Sequence, residues 1–218
     1  MPAEPLALLE VRASAGLCLL PDRYGYDYGS VRIEPSQSVT RRPPKVACEA
    51  HGPVSIPRAV PRVVSRLGLD LHPVDLSSGH EVVWLETLVW PGRNERVERL
   101  RGANSIAQTE PPKVIRGDLL TDLEPLIAAA PRNATLVVFH TAALAYVRSP
   151  ANRRRFAEVV RASRAVWISN EAPGVFPIPL FREQGPHLSI AGALPHGDRR
   201  RARRLTGPHG QSLDWFGH

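Results

Sequence analysis

Leu6-Ala-Leu-Leu-Glu-Val-Arg-Ala-Ser-Ala-Gly-Leu-Cys-Leu-Leu20 is the stretch from which the rest of the chain is read. Leu6 to Val11 is apolar enough to be a strand buried on both faces. Ala13 to Gly16 is a tight turn of small residues, and from Leu17 the sequence predicts the first turn of an apolar helix. A strand that breaks into such a turn and opens a helix is the ligand-facing corner of α/β folds, where unpaired N–H groups and the helix dipole favour negative charge. Glu10, at the strand end, is placed to accept hydrogen bonds from an amine or a hydroxyl. Arg12 stands where such a turn ordinarily carries glycine.

Outward from this corner, strands and helices alternate. Tyr24, Tyr26, Tyr28, Val31 and Ile33 suggest an extended, half-buried strand, and Val46 to Val54 its return. Together they predict a β-hairpin inserted at about 22–55. Ile56 to Leu67 reads as Pro-punctuated and then helical, Gly68 to Leu76 as a short strand. His80 to Arg101 is an amphipathic helical region that restarts at Pro91, with Trp84, Leu85, Leu88 and Val89 on one face. Pro112 to Asp118 is a strand. Thr121 to Ala130 is a helix with Thr121 as N-cap and Glu124 at capping-box spacing. Ala134 to His140 is a central buried strand, Ala142 to Val147 and Asn152 to Ser163 are helical, and Arg164 to Ser169 is a further strand. His187 to Ala193 and Gln211 to Phe216 are expected to close the sheet as an antiparallel hairpin. The expected fold is α/β: a single Rossmann-like three-layer domain over 1–218, with a mostly parallel seven-stranded sheet and a C-terminal antiparallel hairpin.

Composition bounds the function classes. The 218 residues are 43% apolar and 22% charged, ordinary for a globular α/β domain. No apolar run is long enough to span a bilayer, and the N-terminus has no signal-peptide pattern, so a cytoplasmic location is expected. Cys18 and Cys48, the only two cysteines, form no CxxC pair and are expected reduced. No histidine spacing suggests a metal. The net charge is +7, but of 28 basic residues only Lys45 and Lys113 are lysine. That arginine bias, beside abundant Ala and Pro, looks like GC-rich coding. The run Asp198-Arg-Arg-Arg-Ala-Arg-Arg204 therefore reads as a solvated loop, with nucleic acid the lesser alternative.

Glu10 to Tyr24, Arg66 to Asp75, Trp90-Pro91, Gly117-Asp118, Val138 to Tyr146 and His209-Gly210 resemble, in order and over nearly the whole chain, the bacterial domain-of-unknown-function family 2332. The family's opening motif is Glu-Val-Gly-Ala-Ser-Ala-Gly-Leu-Asn-Leu. Arg12 departs from its first glycine, and the helical region that family members carry ahead of this strand is not seen here. The strand order and closing hairpin resemble class I S-adenosylmethionine-dependent methyltransferases. That resemblance implies S-adenosylmethionine as cofactor and a small-molecule acceptor. Glu10, Arg12, Ala13, Ser14 and Gly16 would then form the cofactor turn. Asp75, or else Asp70, would take the ribose hydroxyls, and Asp118 would lie near the adenine. His140, at the end of the fourth strand, is the candidate base, with Asp22 and Tyr24 on the acceptor side.

Each of these residues also has a plain structural role open to it. Glu10, Asp75 and Asp118 can cap helices or pair with arginines, and His140 and Glu171 can be hydrogen-bonded core residues. Two other functions compete. Ala13-Ser-Ala-Gly16 lies close to the G-x-S-x-G nucleophile elbow, which would make Ser14 a hydrolase nucleophile. Alternatively the scaffold is non-catalytic and binds a partner, a role to which Arg12 points.

Overall fold

The computed structural model describes residues 4–35, 43–171 and 175, and the backbone of the strands at 187–192, 204–206 and 212–215. In chain order the strands are β1 (Leu6–Val11), β2 (Gly25–Asp27), β3 (Arg32–Ile33), β4 (Lys45–Ala47), β5 (Glu49–His51), β6 (Val63–Asp70), β7 (Lys113–Arg116), β8 (Thr135–Thr141), β9 (Val166–Glu171), β10 (His187–Gly192), β11 (Arg204–Thr206) and β12 (Ser212–Trp215). The helices are α1 (Gly79–Thr87), α2 (Asn94–Thr109), α3 (Leu123–Ala129) and α4 (Pro150–Ala162).

Five parallel strands, β7-β6-β1-β8-β9, form the centre, flanked by helices. β1 lies in the middle because its apolar run can be buried on both faces. Ala7, Leu9 and Val11 join Leu136, Val138 and Trp167 beneath Leu123 and Ile127 of α3 and Phe156 and Val160 of α4. On the opposite face Leu8 and Val137 pack under Leu19. Nearby, Ala15, Leu20 and Leu76 pack with Ile106 and Ala107 of α2. The chain leaves β1 toward β6 and β7, then returns to the other side for β8. The strand order therefore reverses between β1 and β8, and a crevice opens at their carboxyl ends.

Past β9 the sheet runs on as β10, β11, β12 and β5, nine strands where seven were expected. β10 runs parallel to both β9 and β11. The antiparallel hairpin pairs β11 with β12, not 187–193 with 211–216. Arg204–Thr206 lies close in sequence to Ser212–Trp215, and a short connection suits antiparallel neighbours. Arg204, expected in a loop, starts β11; the rest of the 198–204 run lies outside the described residues.

Five local expectations are corrected. The tyrosine segment is not one strand: it turns at Gly29 (φ 80°), whose N–H donates to Asp27 Oδ1 at 2.8 Å. β2 pairs antiparallel with β3 and parallel with β4, while β5 crosses to the edge of the large sheet. The second core strand begins at Val63 inside the expected helix and ends at Asp70, short of Leu76. Asp70 Oδ1 accepts the His72 N–H at 2.8 Å and turns the chain there. Leu17–Leu19 and Pro21–Arg23 are single 3-10 turns rather than an α-helix. Pro21 disfavours helical backbone at Leu20 and brings no N–H of its own. In α3 the N-cap position is Asp122 rather than Thr121. Of the apolar cluster on α1 and just after it, Leu85 packs inward beside Val82, whereas Trp84 and Leu88 are exposed. Among the described residues no helix is long and apolar enough to cross a membrane.

Candidate site at the carboxyl edge of the sheet

The turn after β1 is wound through left-handed backbone: φ is 61° at Arg12, 53° at Ser14 and 69° at Gly16. Its amides are already spent on the neighbouring strand. Arg12 and Ala13 N–H donate to Leu69 O, at 2.7 and 3.3 Å, and Ser14 N–H donates to Asp70 Oδ2 at 2.8 Å. Without an α-helix after it, this corner also lacks the aligned dipoles that would draw an anion. The turn sits hard against β6 and β7. A Cβ on Gly68 would lie 2.6 Å from Ala13 Cβ, and one on Gly16 would lie 2.9 Å from Pro112 and Val114. Ala142, just past β8, is left-handed too (φ 49°). Every described non-glycine residue with positive φ thus sits at the carboxyl end of β1 or β8. Such conformations cost about 1–3 kcal/mol each and gather at functional sites.

Above this edge opens a groove of about 330 Å³ whose wall includes Arg12, Asp70, Asp118, Tyr146, Arg148 and Asn152. Arg12 is exposed and lies across it, its guanidinium carbon 4.4 Å from the centre of the Tyr146 ring. Asp70 is fixed by its two backbone partners. Asp118 follows β7 and accepts the Leu120 N–H at 2.7 Å. Gly117 beside it is tight, since a Cβ there would lie 2.7 Å from Asp122 Oδ2.

The model of one protein family, described as "Uncharacterized protein conserved in bacteria (DUF2332)", matches residues 2–215. The chain belongs to that family. No curated protein and no solved structure matches it.

The segments through which the chain resembles the DUF2332 family divide between the groove and the frame that holds it. Arg12, Asp70, Asp118 and Tyr146 line the groove. Asp22 belongs to the frame: it is buried, and Arg66 Nη2 donates to both its oxygens at 2.6 Å. Tyr24 donates to Leu17 O at 2.6 Å, and burial pushes its phenol well above the usual range. Both were expected beside the acceptor; both brace the inserted segment instead.

His140 is 1% exposed and has no free nitrogen. Trp167 Nε1–H donates to its Nε2 at 3.0 Å, which leaves the proton on Nδ1 to donate to Glu171 Oε1 at 2.7 Å. The same carboxylate oxygen accepts the N–H groups of Ala143 and Leu144 at 2.8 and 2.9 Å. Burial alone would raise the Glu171 carboxyl, but these hydrogen bonds outweigh it and hold it below the ordinary value. The cluster clamps the ends of β8 and β9, and its imidazole does not line the groove.

Glu10 is buried under the turn rather than in the groove wall. Burial pushes its carboxyl up to about 8, with Asp70 adding to the effect and the Cys18 thiol opposing it through a hydrogen bond. Its Oε2 has no hydrogen-bond partner among the described residues. Asp75 is exposed and accepts the Ser77 hydroxyl and N–H at 2.7 and 2.8 Å, bonds that hold its carboxyl low. It lines a separate groove of about 500 Å³ beside α2. Ala13 is buried at the turn's contact with β6. Among the described residues no imidazole hydrogen-bonds the Ser14 hydroxyl, and no cluster of side chains is arranged to hold a metal ion.

The sequence reading missed Tyr146, Arg148 and Asn152, which come from the return after β8. Tyr146 closes one of the family-like segments; for Arg148 and Asn152 the only signal was position, after the carboxyl end of a central strand, where open α/β sheets place ligands.

Proposed function

We propose that the carboxyl-edge groove binds a nucleoside-containing small molecule, with the methyltransferase-like scaffold and S-adenosylmethionine as the working identity of fold and ligand. One observation carries this: Asp70 and Asp118, at the ends of adjacent strands β6 and β7, line one groove beside the strand-order reversal. Fixed carboxylates with acceptor capacity to spare suit ribose hydroxyls and a base amine. Asp70 takes the hydroxyl role in place of Asp75.

The fit to S-adenosylmethionine is confined to the nucleoside half. For the amino-acid half, the turn offers Arg12 instead of glycine, the amides of Arg12, Ala13, Ser14 and Gly16 are already bonded, and Glu10 is buried. A second reading, a non-catalytic family member, is favoured by His140, whose bonded nitrogens leave the groove without the expected base. Ser14 as a hydrolase nucleophile has no imidazole partner to support it.

Calorimetric titration of S-adenosylmethionine and S-adenosylhomocysteine into the parent chain and Arg12→Gly tests the proposal. Binding to the variant at least tenfold tighter than to the parent is expected. No binding of either compound to either chain would rule out this cofactor.

A further inference from the structure

The groove wall is mostly apolar, but its charged residues are arranged in a direction that follows from the strand order. Across β8-β1-β6-β7 the edge carries Arg148 after β8, Arg12 after β1, Asp70 at the end of β6 and Asp118 after β7. Two cations occupy one half and two carboxylates the other. The three strand ends that carry Arg12, Asp70 and Asp118 are adjacent, about 4.8 Å apart, so that part of the series extends over roughly 10 Å. Among the described residues neither Arg12 nor Arg148 belongs to a salt bridge.

Arg12 is also held at a cost. Its left-handed φ of 61° is one that glycine would adopt without strain. That strain sets the side chain over the groove, and Tyr146 supports the guanidinium from one face. A guanidinium stacked on a ring keeps its N–H groups directed outward from the edge, where a phosphate or carboxylate can accept them in pairs. A second arginine, Arg148 from the return after β8, lines the same groove, and two cations suit a dianion better than a single carboxylate. A phosphate monoester carries about −1.5 to −2 at neutral pH.

We propose that the groove is a nucleoside monophosphate site, with the phosphate held by Arg12 and Arg148, the ribose hydroxyls by Asp70 and the base amine by Asp118. Arg12 is then an anchor for a phosphate, although it stands in the way of the methionine end of S-adenosylmethionine. The proposal rests on the reading that the groove takes a nucleoside, and it replaces the amino-acid end of that ligand with a phosphate.

The test is calorimetric titration of adenosine 5′-monophosphate, adenosine, inorganic phosphate and S-adenosylmethionine into the full chain. The same titrations are made into Arg12→Gly, Arg12→Gln and Arg148→Gln, each checked for folding by circular dichroism. The monophosphate should bind the parent chain more tightly than adenosine or phosphate alone. Each arginine variant should weaken it roughly tenfold or more, the scale of a lost charge-assisted hydrogen bond, while adenosine binding changes less than about twofold. Tighter monophosphate binding in Arg12→Gly would overturn the proposal, as would monophosphate binding no stronger than adenosine or phosphate. S-adenosylmethionine binding to Arg12→Gly without monophosphate binding to any chain would also overturn it, leaving the nucleoside reading intact. No binding of any compound to any chain would remove both.

Discussion

Arg12 and Glu10 occupy the same corner under different constraints. Arg12 is solvent-exposed and conformationally strained, whereas Glu10, two residues earlier, is sealed in and kept protonated by burial. A carboxyl raised from 4.5 to about 8 makes folding pH-dependent. Between those values the unfolded chain ionises Glu10 while the folded chain keeps the proton, so this contribution to stability falls as pH rises and levels off above about 8. In urea unfolding, Glu10→Gln should gain on the parent with rising pH through that window, by up to about 1.4 kcal/mol per unit. Parallel profiles for parent and variant would show that Glu10 is not held protonated. The acidic residue at the strand end was legible in the sequence; its protonation was not, because it depends on the turn and the Cys18 segment closing over it.

At the scale of elements, β1 and β8 were legible because their apolar runs leave little but a buried strand. β6 was misplaced because the prolines ahead of it hid where extended chain becomes strand. The strand end bears on the site: with β6 ending at Asp70, it is Asp70 rather than Asp75 that lines the groove at the sheet edge. The helix expected after the turn failed for a local reason, Pro21, and with it went the dipole expected to favour an anion. The β8–β9 clamp shows why a histidine at a strand end reads two ways. Whether it faces ligand or core depends on Trp167 and Glu171, distant in sequence. His140→Leu removes the imidazole and leaves the buried Glu171 carboxylate without its side-chain partner, and should cost about 3–5 kcal/mol. Stability within about 0.5 kcal/mol of the parent in urea unfolding would contradict the clamp.

At the scale of the molecule, the reversal of strand order between β1 and β8 brings together residues that the sequence keeps far apart. Arg12, Asp70, Asp118 and Tyr146 come from four separate segments and line one groove. The alternation of strands and helices was visible in the sequence, and so was the rule that ligands gather at the carboxyl edge. The return after β8 was not, since nothing local in Tyr146-Val-Arg-Ser149 announces a wall. The left-handed residues gathered at this edge and the charges along it are the observations on which the proposed ligand site rests. Hydrogen exchange measured by mass spectrometry tests that site most directly, with and without saturating adenosine 5′-monophosphate, and in parallel with S-adenosylhomocysteine. Added protection from at least one of them, confined to residues 11–16, 69–72, 117–120 and 146–152, is the predicted result. Protection centred elsewhere, for example on the groove beside α2, or no change with either compound, would contradict it.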